Sequence, residues 1–298
     1  LTDSVRGVTK QIFSNTTDAE QTSSTNVSSF DSDGFTVVSA NDTNGSGRTY
    51  AAWNWKAGTS TGLSFAAGDI TPSAYSVNTT SGIGIYKYTG PGTVGGDTIA
   101  HNLGATPKLV MVKRLSASYN WAVQHGSVVN TKILNLNTSD GAATNDAFHN
   151  TYPTSTLITL GSSTYTNAAA GSSIYVCYAF APVKGYSSFG TYTGNGNANG
   201  TFIYTGFSPA FVIQKNLADS ENWHSYDNKR NTYNVRNKTL DPDQATAEST
   251  LSGIDFLSNG FKIRTTATWG NGNGASYIYM AFAEFPMVGS NGTAGVAR

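Results

Sequence analysis

Tyr88-Thr89-Gly90-Pro91-Gly92 returns as Tyr192-Thr193-Gly194-Asn195-Gly196, a spacing of 104 residues. Further along, Pro107-Lys108-Leu109-Val110-Met111-Val112-Lys113 matches Pro209-Ala210-Phe211-Val212-Ile213-Gln214-Lys215 at an offset of 102. The same offset carries Asn120-Trp121 onto Asn222-Trp223. The two-residue slip falls among Gly and Asn, where a change in loop length costs little. A fixed period is the mark of one supersecondary unit used more than once. A second pattern joins the ends of the chain. Phe30, Gly34 and Phe35 match Phe256, Gly260 and Phe261 at an offset of 226, and Asp3 and Arg6 match Asp227 and Arg230 at 224.

In this second pattern each Gly-Phe opens a strand, and a Gly/Asn turn and an aromatic strand follow. The turns, Asn44-Gly45-Ser46-Gly47 and Gly270-Asn271-Gly272-Asn273-Gly274, read as hairpin chemistry. The aromatic strands are Tyr50 to Trp55 and Tyr277 to Phe282. A middle copy, Leu157 to Phe180, lacks the Gly-Phe and takes Asn167-Ala168-Ala169-Ala170-Gly171 as its turn. These matches predict a partial unit at 1–58, a connecting segment at 59–81, and full units at 82–184 and 185–298. The chain is expected to start partway through a unit and to continue a longer protein upstream. Pro182-Val183-Lys184-Gly185 is too short for a flexible linker, so the two full units are expected to pack rigidly. Each unit holds about six short strands at intervals of roughly 8–12 residues. The expected fold is therefore all-β, in tandem β-sandwich or jelly-roll-like units with a repeat of about 100 residues.

Composition agrees with that reading. Charged residues make up 12% of the chain, half the usual share of about 25%. The 32 Gly, 16 Tyr, 14 Phe and 5 Trp suit pleated faces joined by turns. No stretch sustains a helical apolar period. Formal net charge is +0 and the longest basic runs are the pairs Lys113-Arg114 and Lys229-Arg230, which argues against nucleic-acid binding. No apolar run reaches the ~20 residues of a membrane-spanning helix, so no membrane insertion is expected. The single Cys177 has no disulfide partner in the chain and reads as a buried strand thiol.

Catalytic and ligand-binding chemistry is sparse. Glycoside cleavage needs two carboxylates across a cleft. The nearest constellation is Glu221 and Asp227 flanking Trp223, but the preceding unit has Tyr119 and His125 there, so the pair is no property of the repeat. The four histidines, His101, His125, His149 and His224, read as structural, and Trp121 and Trp223 as core. Asp140, Asp146, Asp241 and Asp243 carry the oxygens calcium prefers, but Asp/Gly turns explain them more simply. No catalytic residue, metal or cofactor is expected. Trp269, with Asn271 and Asn273 in a Gly/Asn-rich hairpin tip, is the candidate ligand contact, because binding residues concentrate on loops over rigid sheets.

Several runs extend the reading. They are Thr49-Tyr50-Ala51-Ala52-Trp53-Asn54-Trp55-Lys56-Ala57-Gly58, His101 to Lys108, Gly185 to Gly196, Asp227-Asn228-Lys229-Arg230-Asn231, and Tyr277 to Glu284. Through them the chain resembles, over nearly its whole length, a β-rich repeat family in virion proteins of marine tailed phages (cyanophages and pelagiphages). The resemblance implies a non-enzymatic fibre or appendage of an extracellular particle, with other virion proteins as partners, homo-oligomeric assembly and adhesion to a host-surface glycan. A carbohydrate-binding module of a secreted or surface protein is the alternative, and a polysaccharide hydrolase the third reading.

Overall fold

In Ile174-Tyr175-Val176-Cys177-Tyr178-Ala179-Phe180 every residue after Ile174 is buried, which only a strand covered on both faces allows. Alternation sends Tyr175, Cys177 and Ala179 into one core, and Val176, Tyr178 and Phe180 into another. The computed structural model describes residues 1–56, 58–92, 95–168 and 172–284. Ala169-Ala170-Gly171 of the middle turn and residues 285–298 of the last unit lie outside the described residues.

Ile174–Phe180 is the centre of a five-stranded antiparallel sheet in the order Ala74–Asn78, Ile83–Thr89, Ile174–Phe180, Leu109–Arg114, Ala122–His125. One face packs on the two-stranded pair Thr98–Ala100 and Leu157–Thr159, with Ile99 and Ile158 wholly buried against Tyr86, Tyr88 and Val112. The second unit has a four-stranded sheet, Ser187–Thr193, Ser276–Ala283, Pro209–Asn216, His224–Asp227. It is covered by a second sheet of Phe202–Tyr204, Gly260–Ile263, Ser249–Leu257 and Arg236–Thr239 around Tyr192, Tyr226, Phe261 and Tyr277. The remaining faces of the two larger sheets meet: Met111, Tyr178 and Phe180 share one cluster with Phe211, Trp223 and Phe282. The fold is thus all-β, in stacked sandwich layers. Its only helices among the described residues are the single turns Asn41–Asn44 and Thr268–Asn271.

The N-terminal stretch lies against that seam. Ile12, Trp53 and Trp55 join the shared cluster, with the Trp55 ring 5.4 Å from Phe282 and 5.8 Å from Phe211. Its hydrogen bonds recur in the last unit. Arg6 Nε donates to Asp3 Oδ2 at 2.6 Å, and Arg230 Nε to Asp227 Oδ2 at 2.5 Å. The other guanidinium arm reaches Glu20 in one case and Glu248 in the other, each at 3.4 Å. Lys113 and Lys215, both buried, each donate to two carbonyls, of Thr17 and Tyr119, and of Ser139 and Glu221. Tyr88 stacks on Tyr175 at 5.2 Å and Tyr192 on Tyr277 at 4.8 Å.

Three parts of the sequence reading change. The segment 59–81 is more than a connection, because Ala74–Asn78 forms the edge strand of the first sheet and Phe65 and Ile70 enter its core. The Gly/Asn stretch at 270–274 does not close a hairpin. Gly260–Ile263 and Ser276–Ala283 belong to facing sheets, and the residues between them cross over as the turn Thr268–Asn271. Tyr50 to Trp55 is not a ladder strand. Tyr277–Phe282 is held between Ser187–Thr193 and Pro209–Asn216, whereas the tryptophans of the N-terminal stretch are held by packing.

A groove beside Trp269 as the candidate functional site

The site begins with an asparagine at a strand end. Asn216, the last residue of Pro209–Asn216, accepts the amides of Ala218 and Asp219 at its Oδ1, at 2.9 and 3.2 Å. Its Nδ2 donates to Asp219 Oδ2 at 3.0 Å and to Thr268 O at 2.9 Å. The loop after the strand is thereby fixed to the turn that carries Trp269. The Thr268 hydroxyl, in turn, donates to the Glu221 carboxylate.

On the facing wall, an isolated bridge between Ser225 and Leu240 brings two neighbours together. His224 Nδ1 lies 2.8 Å from Asp241 Oδ1, and Asn222 donates to Asp241 Oδ2 at 3.4 Å. Gln244 Nε2 donates to Asn222 Oδ1 at 3.2 Å. The Trp269 ring stands edge-on to His224 at 4.7 Å and 62°. Together Glu221, Asn222, His224, Asp241, Gln244 and Trp269 line an open groove of about 400 Å³. An indole wall with convergent carboxylate, amide and imidazole groups can stack on an apolar ring face while bonding hydroxyls around it.

Other residues singled out in the sequence fall elsewhere. Trp269 is half-buried on the groove wall. Asn271 is not an exposed contact: it is wholly buried, and its Nδ2 donates to Asn195 Oδ1, Asn197 O and Thr265 O while its Oδ1 accepts the Asn195 amide. It ties the crossover to the 194–200 loop. Asn273 is exposed but stands outside the groove lining. Trp121 and Trp223 are core, their indoles donating to Phe13 O and Asn135 O.

Glu221 and Asp227 do not form an acid pair around Trp223. Glu221 faces the groove, while Asp227 is buried and held by Arg230. Burial would raise the Asp227 carboxyl, but hydrogen bonds from the Arg230 amide and guanidinium outweigh it and hold the group below its usual range. Asp243 accepts the Trp223 amide at 3.1 Å, and burial raises its carboxyl. Asp146 accepts the amide and hydroxyl of Ser162. His101 and His125 are buried; each accepts a backbone amide at Nδ1, so the proton sits on Nε2, facing Thr154 O and Tyr279 O. His149 is exposed near Asp146. Cys177 is buried, which pushes its thiol well up.

The sequence reading missed His224, Asp241 and Gln244 as groove residues. A signal was present in the offsets. At the place of Glu221, His224 and Trp269, the first unit has Tyr119, Ala122 and Tyr165. There the Tyr119 and Tyr165 rings meet at 6.2 Å and Arg114 lies over Tyr119 at 4.7 Å, so aromatic side chains occupy the equivalent position.

A family model described as a domain of unknown function (DUF7483) matches residues 1–286. No curated protein and no solved structure matches the chain.

Proposed function

We propose that this chain, which belongs to the DUF7483 family, is a non-enzymatic component of a tailed-phage virion, a fibre or appendage that adheres to a host-surface saccharide through the Trp269 groove. The observation that carries the adhesive part is the groove itself. It is open in the last unit, and Tyr119 and Tyr165 stand in its place in the first. A difference between otherwise equivalent positions is where a binding role resides, because shared positions serve the scaffold. The sequence resemblance to virion repeat proteins supports the particle assignment and the homo-oligomeric assembly that goes with it. A non-enzymatic role is supported by the commitments of the groove carboxylates, Glu221 to Thr268 and Asp241 to His224 and Asn222.

The test is an array of host-surface glycans probed with the wild-type chain, Trp269→Ala and Tyr165→Ala. Specific saccharide binding lost in Trp269→Ala and kept in Tyr165→Ala is the expected result. No binding to any glycan would leave a purely structural part, and release of reducing ends from host polysaccharide would overturn the non-enzymatic reading. Antibody labelling of assembled particles separates a virion component from a carbohydrate-binding module of a secreted or surface protein.

A further inference from the structure

Thr98–Ala100 and Phe202–Tyr204 are equivalent strands 104 residues apart, each in the smaller sheet that covers its unit's core. In an antiparallel pair, alternate residues bond the partner strand and the residues between turn their N–H and C=O groups away from it. The ladder bonds of the first pair run through Asp97, Ile99 and His101, and those of the second through Thr201, Ile203 and Thr205. Residues 98 and 100, and likewise 202 and 204, therefore face the open edge.

In the first unit this edge is finished by the chain itself. Ile70 N donates to Thr98 O at 2.9 Å, and Ile70 forms a parallel bridge with Ile99. The Thr98 amide and hydroxyl donate to Asp69 Oδ2 at 3.0 and 2.7 Å, and Asp69 N donates to the hydroxyl at 3.2 Å. The backbone approach is close: a Cβ on Gly68 would stand 2.7 Å from Ala100 N.

Among the described residues the last unit has no such cap. No described residue bonds the outward groups of Phe202 or Tyr204, and these side chains are 44% and 66% exposed. An edge strand with bare polar groups and aromatic side chains is a template for another strand, the state that proteins usually blunt. Charge also differs. Lys262 stands opposite Phe202, without an ion-pair partner among the described residues, where Thr159 stands opposite Thr98 in the first unit.

We propose that Phe202–Tyr204 is a strand-addition site for an extended acidic segment of a partner protein, lying parallel to it as Gly68-Asp69-Ile70 lies along Thr98–Ala100. Backbone bonds to Phe202 supply the affinity, and a carboxylate at the Asp69 position, across the Phe202–Tyr204 strand from Lys262, supplies the selectivity. The site is separate from the Trp269 groove and does not rest on the saccharide reading.

The probe is a synthetic peptide with the sequence of residues 63–72, added to the full chain, with binding read by fluorescence anisotropy and by amide hydrogen exchange at residues 202 and 204. Saturable binding that slows exchange at these amides is the expected result, weakened about tenfold when the peptide's Asp becomes Asn. Phe202→Pro removes an outward N–H without touching the ladder and abolishes binding. Lys262→Glu weakens the acidic peptide and favours one with Lys in the Asp69 place, a second arm that holds if the proline variant does not fold. The proposal is overturned by an absence of saturable binding at millimolar peptide, or by binding unchanged in both variants. It is equally overturned if the same amides become protected by raising the concentration of the chain alone, since a second copy would then be the occupant.

Discussion

Removing one hydroxyl from Tyr175 or Tyr277 tests how the crossover turns are held. Tyr175 Oη accepts the Ala168 amide at 2.7 Å and donates to Thr164 O at 3.0 Å. Tyr277 Oη accepts the Gly272 amide at 2.8 Å and donates to Thr268 O at 2.5 Å. Tyr50 makes the same pair of bonds, with Gly45 N at 2.7 Å and Asn41 O at 2.6 Å, but is 46% exposed. A tyrosine-to-phenylalanine change keeps the ring and its stacking; at Tyr175 it leaves two backbone groups without a partner, whereas at Tyr277 it leaves only the Gly272 amide, because Asn216 Nδ2 still bonds Thr268 O. A net hydrogen bond contributes about 1 kcal/mol, and a buried group left unsatisfied costs about 1–3 kcal/mol. Tyr175→Phe should destabilise the chain by about 2–4 kcal/mol and Tyr277→Phe by about 1–3 kcal/mol, whereas at Tyr50 water replaces the hydroxyl and the cost stays below about 1 kcal/mol. Urea denaturation of the three variants measures this. Because the Thr268–Asn271 turn carries Trp269, Tyr277→Phe should also weaken saccharide binding below its unfolding transition, and Tyr175→Phe should not. Equal costs at Tyr50 and Tyr175, or equal effects of Tyr175→Phe and Tyr277→Phe on binding, would refute the reasoning.

Two pH dependences follow from buried bases. Burial lowers His125 from 6.5 to about 4, so the folded chain keeps it neutral while the unfolded chain takes up a proton first. Its contribution to stability is therefore lost as pH falls from 6.5 to about 4, by about 3 kcal/mol at most. His125→Asn, which can still accept the Ser127 amide, should flatten that part of the acid limb in chemical denaturation, and an unchanged limb would exclude His125 as its source. Burial also lowers Lys113 and Lys215 from 10.5 to about 8, with the unfolded chain binding more protons between those values. Stability should therefore rise as pH increases from 8 towards 10, the window that closes when the buried tyrosines, held well above 10 in the fold, begin to ionise in the unfolded chain. Lys113→Met should remove about half of that rise and carry a pH-independent cost for the Thr17 and Tyr119 carbonyls left unpaired; stability that falls steadily above pH 8 in the wild type would refute the assignment.

Much of the architecture was legible because certain residues can do only one job. Tyr175 to Phe180 shows strand alternation with no polar face, and Trp121 and Trp223 recur with the strands they follow. Ala74-Tyr75-Ser76-Val77-Asn78 was read as part of a connection because three small or polar residues mask its alternation; register against Ile83–Thr89 reveals it as a strand. The Gly/Asn turns were misread for a different reason. Local turn chemistry is the same whether the next strand returns to its own sheet or crosses to the facing one, and only tertiary packing decides. The groove divides likewise. Trp269 could be found from its loop, but His224 and Asp241 are 17 residues apart and meet only through the Ser225–Leu240 bridge.

The two places proposed for binding lie in one unit, and the layer order explains why the comparison between units is informative. Both larger sheets turn a face into the shared cluster around Phe180 and Phe282, so those faces are closed to partners. What remains are the crossover ends and the outer edges. At the crossover end, Tyr119 and Tyr165 stand in the first unit where Glu221 and Trp269 border a groove in the last. At the outer edge, Asp69 and Ile70 cover Thr98, while Phe202 and Tyr204 stand bare. In both cases the first unit holds the internally satisfied version and the last unit the open one. The open versions also differ in side chain: they carry a tryptophan, a histidine, two exposed aromatics and a lysine where the first unit has Tyr165, Ala122, Thr98, Ala100 and Thr159. The two proposals therefore place both binding surfaces on the last unit.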